Sequence, residues 1–117
     1  MKHYRVRVTA TAAEAIERHA HFIAHEQHAL GSARRWLEAI WDAVHSLHAL
    51  PNRARLAEED ASVDYVVRRL VVFQHILLFT VDEERSTVFV IGVRHGHRLP
   101  RPKELPQSQS ELVLGEE

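Results

Sequence analysis

The chain contains no cysteine, which excludes disulfides, thiolate nucleophiles and thiolate metal ligands. No apolar run approaches the roughly 20 residues that a bilayer-spanning helix needs, and residues 1–10 lack a signal-peptide hydrophobic core. A cytoplasmic protein without a membrane partner is expected. Excess charge is also missing, since 15 Lys and Arg stand against 16 Asp and Glu, so binding to nucleic acid would need a local basic patch. Tyrosine occurs only at Tyr4 and Tyr65, and no lysine lies between Lys2 and Lys103. At 117 residues the chain has length for one core and not for two. One domain over residues 1–103 is expected, followed by a flexible polar tail over residues 104–117.

What the chain does have is a dense β signal over residues 66–95, VVRRLVVFQHILLFTVDEERSTVFVIGVRH. Three strands are read there, over residues 65–70, 74–81 and 87–94. The polar cluster Asp82 to Ser86 has hairpin length, so the last two strands are expected to be antiparallel. Between the first two, residues 71–73 contain no Gly, Pro, Asn or Asp to mark the turn. The last strand is apolar on both faces, as for an interior strand covered on each side.

Upstream, residues 4–8 alternate as a short first strand with one exposed side. Thr9 or Thr11 then offers an N-cap hydroxyl, with Glu14 placed for a capping box after Thr11. Ala12, Ile16, Ala20 and Ile23 make one helical stripe, and Gly31 and Ser32 are read as ending this helix and capping the next. The second helix carries Ala33, Leu37, Ile40, Val44 and Leu47, with Trp36 and Trp41 too far apart in angle to be central together. Pro51 follows it, and residues 51–62 read as a surface loop with a helical turn near residues 56–59. The fold class is therefore α+β: an N-terminal strand, an antiparallel helix hairpin, then a three-stranded antiparallel meander with the helices on one face.

This order of elements is similar to the RelE/ParE superfamily of bacterial type II toxins. YRVRVT runs into an alanine- and glutamate-rich helix, ARRWLEAIWDAV opens the second helix and HSLHALPNRAR closes it. VVRRLVV follows, and VFVIGVRHGHR ends the fold where that family has an aliphatic strand leading into His-Gly-basic. The resemblance implies a toxin that forms a hetero-oligomer with a cognate antitoxin and needs no cofactor. Its target would be either DNA gyrase, poisoned by the ParE branch, or ribosome-bound messenger RNA, cut by the RelE branch. Message cleavage needs a base, an acid and cations for the phosphate, and ribonuclease members carry a C-terminal tyrosine and lysines that this chain lacks. The ParE-like reading is therefore preferred. His75 stands where that branch has arginine in Tyr-Arg-Ile, so a degenerate, non-toxic antitoxin-binding protein remains a further alternative.

Candidates for contact with a target or antitoxin are Arg68, Arg69, His75, Arg94, His95, His97 and Arg98. Arg68 and Arg69, being adjacent on a strand, are expected on opposite faces. Arg94 near the end of an interior strand calls for an ion pair, a polar patch or a bound anion. His21, His25 and His28 share a helix face at spacings compatible with metal ligation, but that face is the one expected in solvent, and no metal site is assigned.

Overall fold

Alternating side chains at the N-terminus form strand β1, Arg5–Val8, in a computed structural model that describes residues 2–26 and 28–115. Thr9 stops the strand and starts helix α1, Ala10–His25. Its backbone is extended and its Oγ1 accepts from the Ala12 N–H at 3.2 Å, satisfying one of the amides that a helix start leaves free. Thr11 lies inside the first turn. Thr9→Ala is expected to lower stability by about 1 kcal/mol, read from the shift of a urea unfolding midpoint.

Helix α2, Leu30–Ser46, begins before Gly31 and Ser32, so these two residues do not end α1. The reversal falls at His28, which takes a left-handed backbone with φ 50°; histidine is among the side chains that tolerate this region best after glycine. On the two helices Ala12, Ile16, Ile40, Val44 and Leu47 are buried as the stripes require. Trp36 is 3% exposed, whereas Trp41 sits at the margin at 37%.

A 3-10 turn, Pro51–Arg53, leads to a two-residue edge strand β2, Arg55–Leu56, and a second 3-10 turn, Glu58–Ser62. This stretch is more structured than the surface loop expected, because Ala54, Ala57 and Glu59 are buried. Strands β3, Arg68–Val72, β4, His75–Asp82, and β5, Thr87–His95, complete a sheet of order β1-β5-β4-β3-β2. β1 runs parallel to β5, and the other pairings are antiparallel. The β3–β4 reversal is made by Phe73, φ 54°. This explains why no usual turn residue announces it: a phenylalanine holds the conformation that Gly or Asn ordinarily supplies.

Both faces of the sheet are covered. The helices pack on Leu77, Phe79, Val88, Val90 and Val93, while Val67, Ile76, Leu78, Phe89 and Ile91 form a second cluster with Ala57, Leu105 and Leu112. Within the segment expected as a flexible polar tail, residues 104–117, Leu105 and Leu112 supply part of that second cover, and residues 116 and 117 lie outside the described residues. A 3-10 turn, Pro102–Glu104, precedes a short helix α3, Gln109–Gly115. The segment is tied down by the Tyr65 hydroxyl donating to the Pro106 carbonyl at 2.7 Å and by Gln109 Nε2 donating to Thr80 Oγ1 at 3.0 Å.

Candidate functional site

The site is set by a single irregularity in β5. Phe79 pairs with Val90 and Leu78 with Gly92, so Ile91 is an inserted residue without a partner on β4. Such a bulge reverses the facing of every later side chain. Before it, Val88 and Val90 face the helices; after it, Val93 and His95 do, while Arg94 turns to the second face. An unbroken strand would have put Arg94 under the helices and His95 on the far side.

On the second face Arg94 meets Glu59. Nε donates to Oε2 at 2.7 Å and Nη2 to Oε1 at 3.3 Å, with Glu59 only 1% exposed, and Nη1 reaches the Arg98 carbonyl at 3.2 Å. Of the roles open to Arg94, the ion pair is the one realised. It ties the 3-10 turn Glu58–Ser62 to the end of β5 and leaves Arg94 little freedom to reach a target.

On the helix face His75 and His95 are directly paired across β4 and β5, their rings 5.1 Å apart. His75 is 7% exposed and both its nitrogens are engaged. Nδ1 accepts from the Trp36 indole N–H at 3.0 Å, and Nε2 lies 3.2 Å from His19 Nδ1. Burial, reinforced by the nearby His19 and His95 rings, depresses the His75 pKa from 6.5 to about 4. His19 is lowered too, first by burial and then by Arg18, Arg98 and His95. Both rings are therefore neutral at pH 7. His75 is a buried joint between the sheet and the helices and not a surface contact.

His95 accepts on Nδ1 from the His97 backbone N–H at 3.1 Å, and the two rings stack with centroids 5.0 Å apart. Gly96 between them donates to the Gln74 carbonyl at 2.7 Å, and a Cβ there would stand only 3.2 Å from that oxygen. The strand end can close on the β3–β4 turn because this residue has no side chain.

Above this floor lies an open groove of about 1130 Å³ between α1, α2 and the ends of β4 and β5. Exposed Phe22, Phe73 and Leu99 supply apolar lips; Arg18, Arg35 and Arg98 supply charge. The acids lining the groove are both engaged, Glu59 with Arg94 and Glu104 with Arg101 at 3.4 Å. Among the described residues Arg35 is hydrogen-bonded only to the Ser32 hydroxyl, at 3.1 Å. The groove is thus apolar at its lips and cationic at its rim.

Of the residues singled out in the sequence, His75, Arg94, His95, His97 and Arg98 come together here. Arg68 and Arg69 do not, because antiparallel pairing sets Arg68 opposite Phe79, far along β4 from His75. Arg68 is on the helix face with Leu70 and Val72 and donates to the Ala54 carbonyl at 2.7 Å; Arg69 faces the other way at the β2 edge. His21 and His25 are exposed with rings 4.1 Å apart, and His28 lies in the reversal. Among the described residues no three His, Cys, Asp or Glu side chains are grouped to hold a metal ion. The sequence reading missed His19 and Trp36. His19 is one turn after Ala15 on the buried stripe, and a polar residue inside an apolar stripe was the available signal.

Residues 6–100 match the family described as ParE toxin of type II toxin-antitoxin system, parDE. Among solved structures the chain is similar to one from the chromosomal ParDE TA system of P. aeruginosa. The TM-score is 0.63 at 15% identity, over 81% of this chain and 98% of the other. It is also similar to one from the toxin-antitoxin complex RelBE2 of Mycobacterium tuberculosis, with TM-score 0.55 at 24% identity, over 80% and 98% of the two chains. At these identities the likeness is one of fold. No curated protein sequence matches. Among the described residues no helix is long and apolar enough to cross a membrane.

Proposed function

The chain belongs to the ParE toxin family of type II toxin-antitoxin systems, and from that premise we propose that it arrests growth by poisoning DNA gyrase and is neutralised by a cognate antitoxin. The family match over residues 6–100 is the observation that carries this reading. The antitoxin segment that fits the groove is acidic and anchored by apolar side chains, because the rim offers Arg18, Arg35 and Arg98 and the lips offer Phe22, Phe73 and Leu99. Apolar anchors supply most of the affinity in such a contact, while the charges govern encounter and register. Arg98→Glu is expected to weaken antitoxin binding by roughly tenfold, measured by calorimetry on the purified pair.

Gyrase is favoured over messenger RNA as the target by what the groove holds. His75 is buried and locked neutral, His19 is spent on His75, and Arg94 is spent on Glu59. Neither His75 nor His19 is placed to serve as the acid and base pair that cleavage needs. One observation favours the ribonuclease alternative: His95, with its Nδ1 occupied by a backbone donor, lines a groove rimmed by arginine. Induction of the chain in a host that carries a DNA-damage reporter separates the readings. Arrest with the reporter on and protein synthesis continuing supports gyrase. Arrest with synthesis stopped first and the reporter silent supports message cleavage. No arrest would leave a degenerate partner that only binds antitoxin.

A further inference from the structure

At the floor of the groove a chain of hydrogen bonds crosses three elements: Trp36 of α2, His75 of β4 and His19 of α1. Its direction follows from the donors. An indole N–H can only donate, so His75 Nδ1 accepts; a neutral imidazole has one proton, so that of His75 is on Nε2 and is given to His19 Nδ1. Because His19 Nδ1 accepts, the proton of neutral His19 is on Nε2. We propose that this chain is an acid-sensitive latch: it clamps the α1–α2 hairpin onto the β4–β5 end of the sheet while both rings are neutral, and one proton taken up by either ring releases it and opens the groove.

The reason is that the chain has no spare acceptor. A proton on His75 Nδ1 faces the Trp36 N–H across 3.0 Å, and a proton on His19 Nδ1 faces the His75 Nε2–H across 3.2 Å. Either event sets donor against donor, and flipping a ring does not help because a cationic imidazole donates from both nitrogens. The surroundings oppose a cation as well. Arg18 on α1, Arg35 on α2, His95 on β5, and His97 and Arg98 beyond it all stand on this side. The acids that line the groove, Glu59 and Glu104, are held by Arg94 and Arg101. The latch acts beneath the proposed antitoxin contact but is a property of this chain alone, and it stands whichever target the toxin has.

The test uses the full chain labelled with ¹⁵N and carrying Trp41→Phe, so that Trp36 gives the only indole signal. Imidazole ¹⁵N spectra at pH 7.5 are expected to show the proton on Nε2 of both His19 and His75; a proton on Nδ1 of either ring overturns the latch. On acidification the Trp36 indole N–H is expected to exchange with solvent at least tenfold faster, in one step, while the backbone amide spectrum of the β-sheet stays native. His75→Asn, whose amide oxygen can accept from Trp36 without titrating, is expected to remove that step. A step unchanged in this variant, or an indole signal that holds until every amide collapses with it, overturns the proposal. Should the variant fail to fold, the tautomers in the protein with histidine at both positions decide the matter.

Discussion

Replacing Arg94 with alanine is expected to destabilise the protein by about 3–5 kcal/mol, among the largest losses any single substitution here would produce. The Glu59 carboxylate is 1% exposed and its two oxygens are met by the Arg94 guanidinium. Without Arg94 it is left as a buried charge with no counterion, and that desolvation is what the loss measures. The same variant also loosens two connections, because Arg94 ties the Glu58–Ser62 turn to β5 and holds the Arg98 carbonyl at the groove. Urea unfolding measures the loss. The joint change Glu59→Leu with Arg94→Met is expected to recover most of it, since a paired apolar replacement leaves no orphan charge. A loss below about 1 kcal/mol for Arg94→Ala, the range of a solvent-exposed pair, would show that Glu59 is reached by water.

The second large effect is a dependence of stability on acid. His75 has a folded-state pKa of about 4 against 6.5 when unfolded. Above pH 6.5 the ring is neutral in both states and costs nothing. Between pH 6.5 and 4 the unfolded chain binds a proton that the folded chain refuses, so stability falls as pH falls; below 4 both states are protonated and the contribution levels off. One such proton is worth about 1.4 kcal/mol for each pH unit, so His75 accounts for about 3 kcal/mol over the window. His19, depressed in the same direction, adds to the fall. Denaturant midpoints collected from pH 7.5 to 4 for the native chain and for His75→Asn isolate the effect, and the variant is expected to show the flatter curve. Parallel curves would mean that His75 is already open to solvent.

The two helices, the meander and their order were readable because their apolar positions repeat at periods of 3.6 and 2, and those periods reflect burial directly. The site was only half readable. His75, His95, His97 and Arg98 stood out as polar residues at the mouth of an aliphatic sheet, and they do meet. What escaped was everything decided by register and by distant contact. The bulge at Ile91 leaves no mark in a run of apolar residues, yet it determines that His95 and not Arg94 turns to the helix face of the sheet. Glu59 sits in an acidic run, Glu58 to Asp60, that reads as solvated surface until its partner 35 residues away is known. The spacing of His21, His25 and His28 suggests a shared helix face, yet His28 lies beyond α1, and His19 on the inner face is the histidine that reaches the sheet. Leu105 and Leu112 are too few to signal a packed segment, although two side chains suffice to join a cluster already formed by the sheet.

The most direct test of the toxin's target is a gel of plasmid DNA incubated with purified gyrase, ATP and this protein, run beside a translation extract probed for intact message. A gyrase poison traps the enzyme with its DNA strands cut, so linear DNA is expected to accumulate in proportion to added protein and only when gyrase is present, while the message stays whole. Cleaved message together with unaltered gyrase products would contradict that account.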